Sequence, residues 1–307
     1  VPCYRPLTGY RGEGGRLTFT DRGQGLDSLT VPCGKCIGCR LDYARDWAIR
    51  CTHEAQLHGT HNEFITLTYD QDHLPEDRSL RLEHFQTFIR HLRQSNPDRT
   101  IRFFHCGEYG EQNYRPHYHA LIFNYSFQDK KLLRVDKKNQ TRLYSSPELS
   151  DLWRKGHAST GAVTFQSAGY VARYVTKKIT GDRAKDHYWT QPDENGEVHR
   201  LKPEYTTMSR RPGLGFDWFH KYKNDLYPSD QVVIKISEKG GYRSYPVPRY
   251  YDKLLEREDP QLLEDLKQDR IIKAATKAAD NTAERLAVKE NIKNQNARRL
   301  IRPLEQK

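Results

Sequence analysis

Nine residues, Arg115-Pro116-His117-Tyr118-His119-Ala120-Leu121-Ile122-Phe123, constrain this chain more than any other stretch. A proline opens them and an apolar, aromatic run closes them, which predicts a strand from His117 to Phe123. Alternate side chains of a strand share a face, so His117 and His119 point the same way. Thr100 to Cys106 reads as a preceding strand that runs on to Glu108. A polar, glycine-flanked connection then leads to Pro116, which favours an antiparallel hairpin and brings Glu108 close to both histidines. Such a histidine pair is either one grip on a metal ion or an ordinary solvent-facing or hydrogen-bonded pair.

The flanking segments predict an α+β fold, a central antiparallel sheet with packed helices. Leu41, Ala44, Ala48, Cys51 and Ala55 recur at helical spacing within residues 40–58. On that helix Arg40, Arg45 and Arg50 are phosphate contacts or a solvated face. His61 to Tyr69 reads as a strand. A helix of about residues 80–95 has the apolar stripe Leu82, Phe85, Phe88, Ile89 and Leu92, stopped by Ser95-Asn96-Pro97. Residues 124–160 read as a surface insertion with a short helix around Leu152-Trp153. Ala162 to Phe165 is a predicted strand, 167–179 a helix and 180–205 polar loop. Ser209 to Gly215 is a basic, glycine-rich turn whose backbone amides could cradle a phosphate; lacking the Gly-Lys-Ser/Thr of a Walker loop, it reads instead as a simple loop presenting Arg210 and Arg211 to a polyanion. Val232 to Ile236 is a strand, and Tyr242 to Tyr245 pairs back on it. From Tyr250 the chain is charged and helical, ending with Arg298, Arg299 and Arg302. The expected organisation is a Cys-rich segment (1–39), an α+β core (40–180), a basic loop and β extension (181–250) and a helical C-terminal region (251–307).

A formal net charge of +11 and a pI near 9.3 suit a polyanionic partner, nucleic acid first and an acidic membrane surface second. No apolar run approaches the roughly 20 residues of a membrane helix, and no apolar leader opens the chain, so the cytoplasm is the expected compartment. The cysteines cluster as Cys33-Gly34-Lys35-Cys36-Ile37-Gly38-Cys39, a pattern of metal ligation in a reducing compartment rather than of disulfides. Cys3 follows a proline as Cys33 does, and is the candidate fourth ligand of a structural Zn2+; the alternative is a set of reduced, metal-free thiols.

On the helix at 167–179, Tyr170 and Tyr174 are four residues apart and share a face, with Arg173, Lys177 and Lys178 nearby. They are two core tyrosines or a pair of phenol nucleophiles. In the second case a hard divalent ion held by Glu108, His117 and His119 would polarise a phosphate for phenolate attack.

The motif His117-Tyr118-His119 with its apolar tail resembles that of the HUH endonucleases, the replication initiators and relaxases that nick single-stranded DNA. Phe64 to Tyr69 resembles their first strand motif, and Tyr170-x-x-x-Tyr174 with Lys177 their two-tyrosine class. More narrowly, Pro2-Cys3-Tyr4, Cys33-Gly34-Lys35-Cys36, Cys106-Gly107-Glu108-Tyr109-Gly110, Arg115 to His119, Met208 to Gly213 and Pro248 to Lys253 resemble gokushovirus replication initiators, of the microvirus family. The resemblance implies rolling-circle initiation at a viral origin in the bacterial cytoplasm. It implies Mg2+ or Mn2+ on His117, His119 and Glu108, a 5′-phosphotyrosine on Tyr170 or Tyr174, a free 3′-OH and later rejoining. Lys177 would stabilise phenolate or phosphate charge, and Arg173, Lys178, Arg210 and Arg211 would contact DNA. Host helicase and polymerase are the expected further partners. Two alternatives stay open: a non-catalytic single-stranded DNA-binding module, and an HUH plasmid initiator or transposase.

Overall fold

The computed structural model describes residues 3–12, 16–20, 28–110, 114–136, 141–173, 183–189, 196–235 and 241–298. The chain divides into two compact units, one of Val1–Tyr43 with Leu255–Lys307 and one of Ala44–Leu254.

Three short strands, β1 (Leu7–Arg11), β2 (Leu17–Thr18) and β3 (Ser28–Val31), form an antiparallel sheet in the order β2-β1-β3. Their periodicity is not visible in the sequence because most of their side chains are exposed or half-buried. Helix α1 (Ile37–Gln56) follows.

The larger unit is built on a seven-stranded antiparallel sheet. Its strands and helices follow as β4 (Asn62–Tyr69), α2 (Leu82–Gln94), β5 (Arg102–Tyr109), β6 (Pro116–Phe123), β7 (Lys131–Val135), β8 (Arg142–Ser145), α3 (Pro147–Trp153), β9 (Gly156–Ala162), α4 (Phe165–Arg173), α5 (Arg183–His187) and β10 (Tyr205–Met208). The order across the sheet is β10-β5-β6-β4-β9-β8-β7. The expected fold class is therefore the observed one, and the β5–β6 hairpin takes the second and third positions of the sheet, inside the edge strand β10.

Strand parity splits the sheet into two faces. On one, Ile65, Leu67, Tyr69, Tyr118, Ala120 and Ile122 pack under Phe85, Phe88, Ile89 and Leu92 of α2 and under Leu149 and Trp153 of α3. Burying each of these large side chains contributes roughly 1.5–3 kcal/mol. Capping fixes where α3 starts: the Ser146 side chain accepts from Leu149 N at 3.1 Å, and Pro147 opens the helix. On the other face Trp47 of α1 meets Phe104 at 4.9 Å, and α4 packs on β5 and β6. That face carries Glu108, His117 and His119.

Two expectations shift here. The strand expected at Ala162–Phe165 lies earlier, at Gly156–Ala162, and Phe165 already begins α4. The strand was hidden by its small, polar residues, while Thr164 and Ser167 cap the helix reciprocally, with Thr164 N donating to Ser167 Oγ at 2.8 Å and Ser167 N to Thr164 Oγ1 at 3.0 Å. The region read as polar loop at 180–205 contains α5 and the first residue of β10.

Gly156 is required by geometry. Its φ is +130°, and a Cβ there would lie 2.2 Å from Asp70 N and 2.6 Å from Thr68 O, both backbone atoms of the neighbouring strand end. Gly156→Ala is expected to cost about 3 kcal/mol or more, since strained φ and a backbone clash add. Gly59→Ala, at φ +57° with nothing within 4 Å, should cost only about 1–2 kcal/mol. Urea unfolding of the two variants checks the contrast.

Beyond β10, the chain forms α6 (Phe216–Leu226), the hairpin β11 (Gln231–Lys235) and β12 (Tyr242–Pro246), α7 (Arg249–Glu258), α8 (Pro260–Ala275) and α9 (Ala283–Arg298). The expected strand, return strand and C-terminal helices are all present; residues 236–240 lie outside the described residues. In the smaller unit Tyr4, Cys36 and Leu286 of α9 share a small buried cluster, and Arg5 Nε pairs with Glu290 at 2.8 Å.

Candidate metal and catalytic site

The β5–β6 register places Glu108 opposite His117 and Cys106 opposite His119. On the other side of β6, Thr66 of β4 lies opposite His119 and Thr68 opposite His117. The site is thus a patch of the central strands, held by sheet hydrogen bonds rather than by loops. Tyr118, between the histidines, points to the opposite face, where its hydroxyl accepts from Arg81 N at 2.8 Å and meets Tyr69 Oη at 2.7 Å. Burial pushes the Tyr118 phenol up to about 12.

Glu108 Oε1 lies 2.8 Å from His117 Nε2 and 3.0 Å from His119 Nε2. Glu108 is fully buried, the His119 side chain is 4% exposed and that of His117 13%, so access is from the His117 side. Burial by itself raises the pKa of Glu108, but the hydrogen bonds and charges of His117 and His119 outweigh it and hold the carboxyl well below its ordinary range. A buried carboxylate is otherwise costly by several kcal/mol.

The ring nitrogens decide what the cluster can bind. His117 Nδ1 lies 3.1 Å from the Arg115 carbonyl. A carbonyl only accepts, so Nδ1 carries a proton, and Nε2 either donates a second proton to Glu108 Oε1 or, in the neutral ring, meets it as an acceptor. Two acceptors at 2.8 Å need a proton or a cation between them. His119 Nδ1 is held by Thr66 Oγ1 at 2.9 Å, leaving Nε2 turned to the same carboxylate. Ring tautomers fixed from behind in this way are the usual support of metal-binding imidazoles. The donor set, two imidazoles and one carboxylate with the three ligand atoms within 4.8 Å of one another, fits a divalent cation.

Tyr170, on α4, is 5% exposed. Its ring stands edge-on to His119 with centroids 5.2 Å apart, and edge-on to Phe64 at 6.1 Å. Phe64 in turn stacks on His119 at 5.7 Å. The expected tyrosine therefore lies against the expected histidine. Tyr174, Lys177 and Lys178 lie outside the described residues. Arg173 is exposed at the end of α4.

Arg210 and Arg211 are exposed but are not part of this cluster. Met208, at the end of β10, pairs with Phe104, four residues from Glu108 along β5, which is about 13 Å at strand rise. The turn that follows is anchored from behind. Arg102 donates to Pro212 O at 2.6 Å, Gly215 N donates to the buried Glu54 carboxylate at 2.7 Å, and Arg50 donates to Leu214 O at 3.0 Å. Arg50 is also stacked between Trp47 and Tyr250, at 4.0 and 3.9 Å. One of the three helix arginines thus has a structural task, and the Gly215 amide is committed to Glu54. The sequence reading missed Thr66 and the Arg115 carbonyl as supports of the imidazoles. Strand parity could have found Thr66, since it shares a face with Phe64.

Residues 62–179 match the family model described as Replication-associated protein ORF2/G2P. Replication-associated protein VP4 of Bdellovibrio phage phiMH2K is 34% identical over 268 residues, which cover 84% of this chain and 78% of its own. The chain belongs to the phage replication-associated proteins, of the microvirus replication-initiator type. Replication-associated protein ORF2 of Spiroplasma virus 4 is 34% identical over 250 residues, 78% of this chain and 73% of the other. Replication-associated protein ORF4 of Chlamydia phage 1 is 30% identical over 236 residues, 75% and 54% of the two chains. No solved structure matches this replication-associated protein. Among the described residues, no helix is long and apolar enough to cross a membrane.

Proposed function

We propose that this replication-associated protein nicks and rejoins single-stranded DNA at a phage origin by tyrosine attack on a phosphodiester. The observation that carries the reading is the buried Glu108–His117–His119 cluster with Tyr170 edge-on to one of its imidazoles. A divalent cation, Mg2+ or Mn2+, supplies Lewis acidity at a phosphate oxygen when bound there.

The protein's own residues do the rest. Glu108, His117 and His119 hold the ligand atoms on three rigid positions of one sheet face. A phenol must give up its proton to attack phosphorus; Lys177 offsets the resulting charge. The tyrosine oxygen forms a bond to phosphorus and the bond to the 3′ oxygen breaks, the phenol proton ending on that oxygen. One P–O ester replaces another, so the 5′-phosphotyrosine retains the energy needed for rejoining by a later 3′-OH. A second tyrosine, Tyr174, four residues along the chain would allow a second transfer before the first end is released. The net charge of +11 suits the substrate, with Arg173, Lys178, Arg210 and Arg211 as its proposed contacts. The 3′-OH left by the nick is the expected primer for host polymerase, after host helicase has opened the duplex.

Two nitrogen donors favour Mn2+ over Mg2+, which prefers an all-oxygen shell. The test is incubation of the full chain with an origin oligonucleotide and Mn2+, followed by denaturing electrophoresis. A protein–DNA adduct with a new 3′-OH fragment, absent with EDTA and reached at lower Mn2+ than Mg2+ concentration, is the expected result. Binding of the oligonucleotide with no adduct under either metal would leave a single-strand binding module and overturn the reading.

A further inference from the structure

The smaller unit holds a second cluster of a different chemical kind. The Sγ atoms of Cys3, Cys33, Cys36 and Cys39 all lie within 4.8 Å of one another, and those of Cys3 and Cys36 are 3.9 Å apart. A disulfide requires about 2.05 Å, and all four cysteines are free. Four sulfurs at about 2.3 Å from one tetrahedral ion lie about 3.8 Å apart, close to the observed spacing.

The backbone is arranged for thiolates. Tyr4 N and Cys39 N donate to Cys36 Sγ at 3.3 and 3.5 Å, Cys33 N donates to Cys3 Sγ at 3.3 Å, and Lys35 N and Cys36 N donate to Cys33 Sγ at 3.4 and 3.3 Å. N–H donors on sulfur stabilise its negative charge. Gly34, at φ +71° with open space where a Cβ would be, makes the turn between Cys33 and Cys36. Several thiolates at such spacing repel one another unless a cation lies among them.

We propose that Cys3, Cys33, Cys36 and Cys39 hold one Zn2+ in a closed tetrathiolate site whose role is structural. Soft sulfur selects zinc over the hard cations suited to Glu108, His117 and His119, so the chain carries two sites of opposite preference. All four positions are filled by protein, which leaves none for substrate. The ion ties residue 3 to residues 33–39 across 29 intervening residues and steadies the Tyr4–Cys36–Leu286 cluster and the Arg5–Glu290 pair. Binding releases the thiol protons to solvent, so zinc should be lost on acidification.

Metal analysis of the full chain, purified without chelator or metal-affinity resin, tests this. One zinc per chain is expected, with four thiols becoming reactive as a chelator removes it. Cobalt put in its place should give the visible bands of a tetrahedral thiolate site. Cys36→Ser with Cys39→Ser should lose the zinc, while His117→Ala with His119→Ala should keep it. The cobalt and thiol measurements use the unaltered chain, so they hold even where the cysteine variant fails to fold. A well-folded chain without zinc, an iron chromophore in place of zinc, or zinc lost from the histidine variant but kept by the cysteine variant would each overturn the proposal.

Discussion

Replacing Tyr170 and Tyr174 together by Phe should abolish the covalent protein–DNA adduct while single-strand binding stays within about twofold of the parent. The reason is chemical. Phenylalanine keeps the ring that packs edge-on to His119 and Phe64 and removes only the oxygen that forms the ester. Loss of a nucleophile leaves only background hydrolysis, a drop of at least about 10³–10⁴-fold, or roughly 4–5 kcal/mol at the transition state. Each single variant should retain one nucleophile. With Tyr174→Phe, the adduct should form on Tyr170. Gel shift and adduct yield on the same oligonucleotide separate the two effects, and melting temperature checks that neither change unfolds the chain.

Removing the imidazoles should have an effect nearly as large, with a second consequence for stability. His117→Ala with His119→Ala deletes two of three ligand atoms, and adduct formation should fall about 10³-fold, as several kcal/mol of charge stabilisation are lost. It also leaves Glu108 buried without its two imidazole partners, a situation that costs about 3–5 kcal/mol. In the parent, the Glu108 pKa is held below its ordinary value of 4.5. Its contribution to stability is then present above pH 4.5 and is lost as pH falls toward the folded value. In the double variant, burial alone remains and raises the carboxyl, so the sign reverses and the variant loses stability as pH rises through the raised value. Adding Glu108→Gln should remove that pH dependence and recover part of the loss. Urea unfolding at several pH values follows both slopes. Thr66→Val, which removes only the support behind His119 Nδ1, should weaken Mn2+ binding by about 10–100-fold and leave the fold intact.

How much of this was legible in the sequence depends on the period of each element. Parity alone puts His117 and His119 on one face, and the short connection to Pro116 brings Glu108 close to them; in the structure Glu108 lies opposite His117. Helix α2 was plain because its apolar stripe is wide and capped by a clear stop. Strands β1 to β3 were invisible because they are short and largely exposed. Strand β9, His157-Ala158-Ser159-Thr160 at its centre, was missed because small and polar residues occupy a position that tertiary packing, not propensity, makes a strand. The anchoring of the turn at 212–215 by Glu54, Arg102 and Arg50 was equally out of reach. Those partners are distant in sequence, and nothing local marks an arginine that will stack between Trp47 and Tyr250. At the candidate site the juxtaposition of Glu108, His117 and His119 was legible, and the supports that orient the imidazoles, Thr66 and the Arg115 carbonyl, were not.

Mapping the adduct decides the central claim most directly. After reaction with an origin oligonucleotide and Mn2+, the protein is digested with protease and nuclease, and the nucleotide-bearing peptide is sequenced by mass spectrometry. The account predicts a phosphotyrosine ester at Tyr170 or Tyr174, formed only with a divalent cation and lost from the His117→Ala, His119→Ala variant. An adduct on any other residue, or one that forms equally in EDTA, would contradict it.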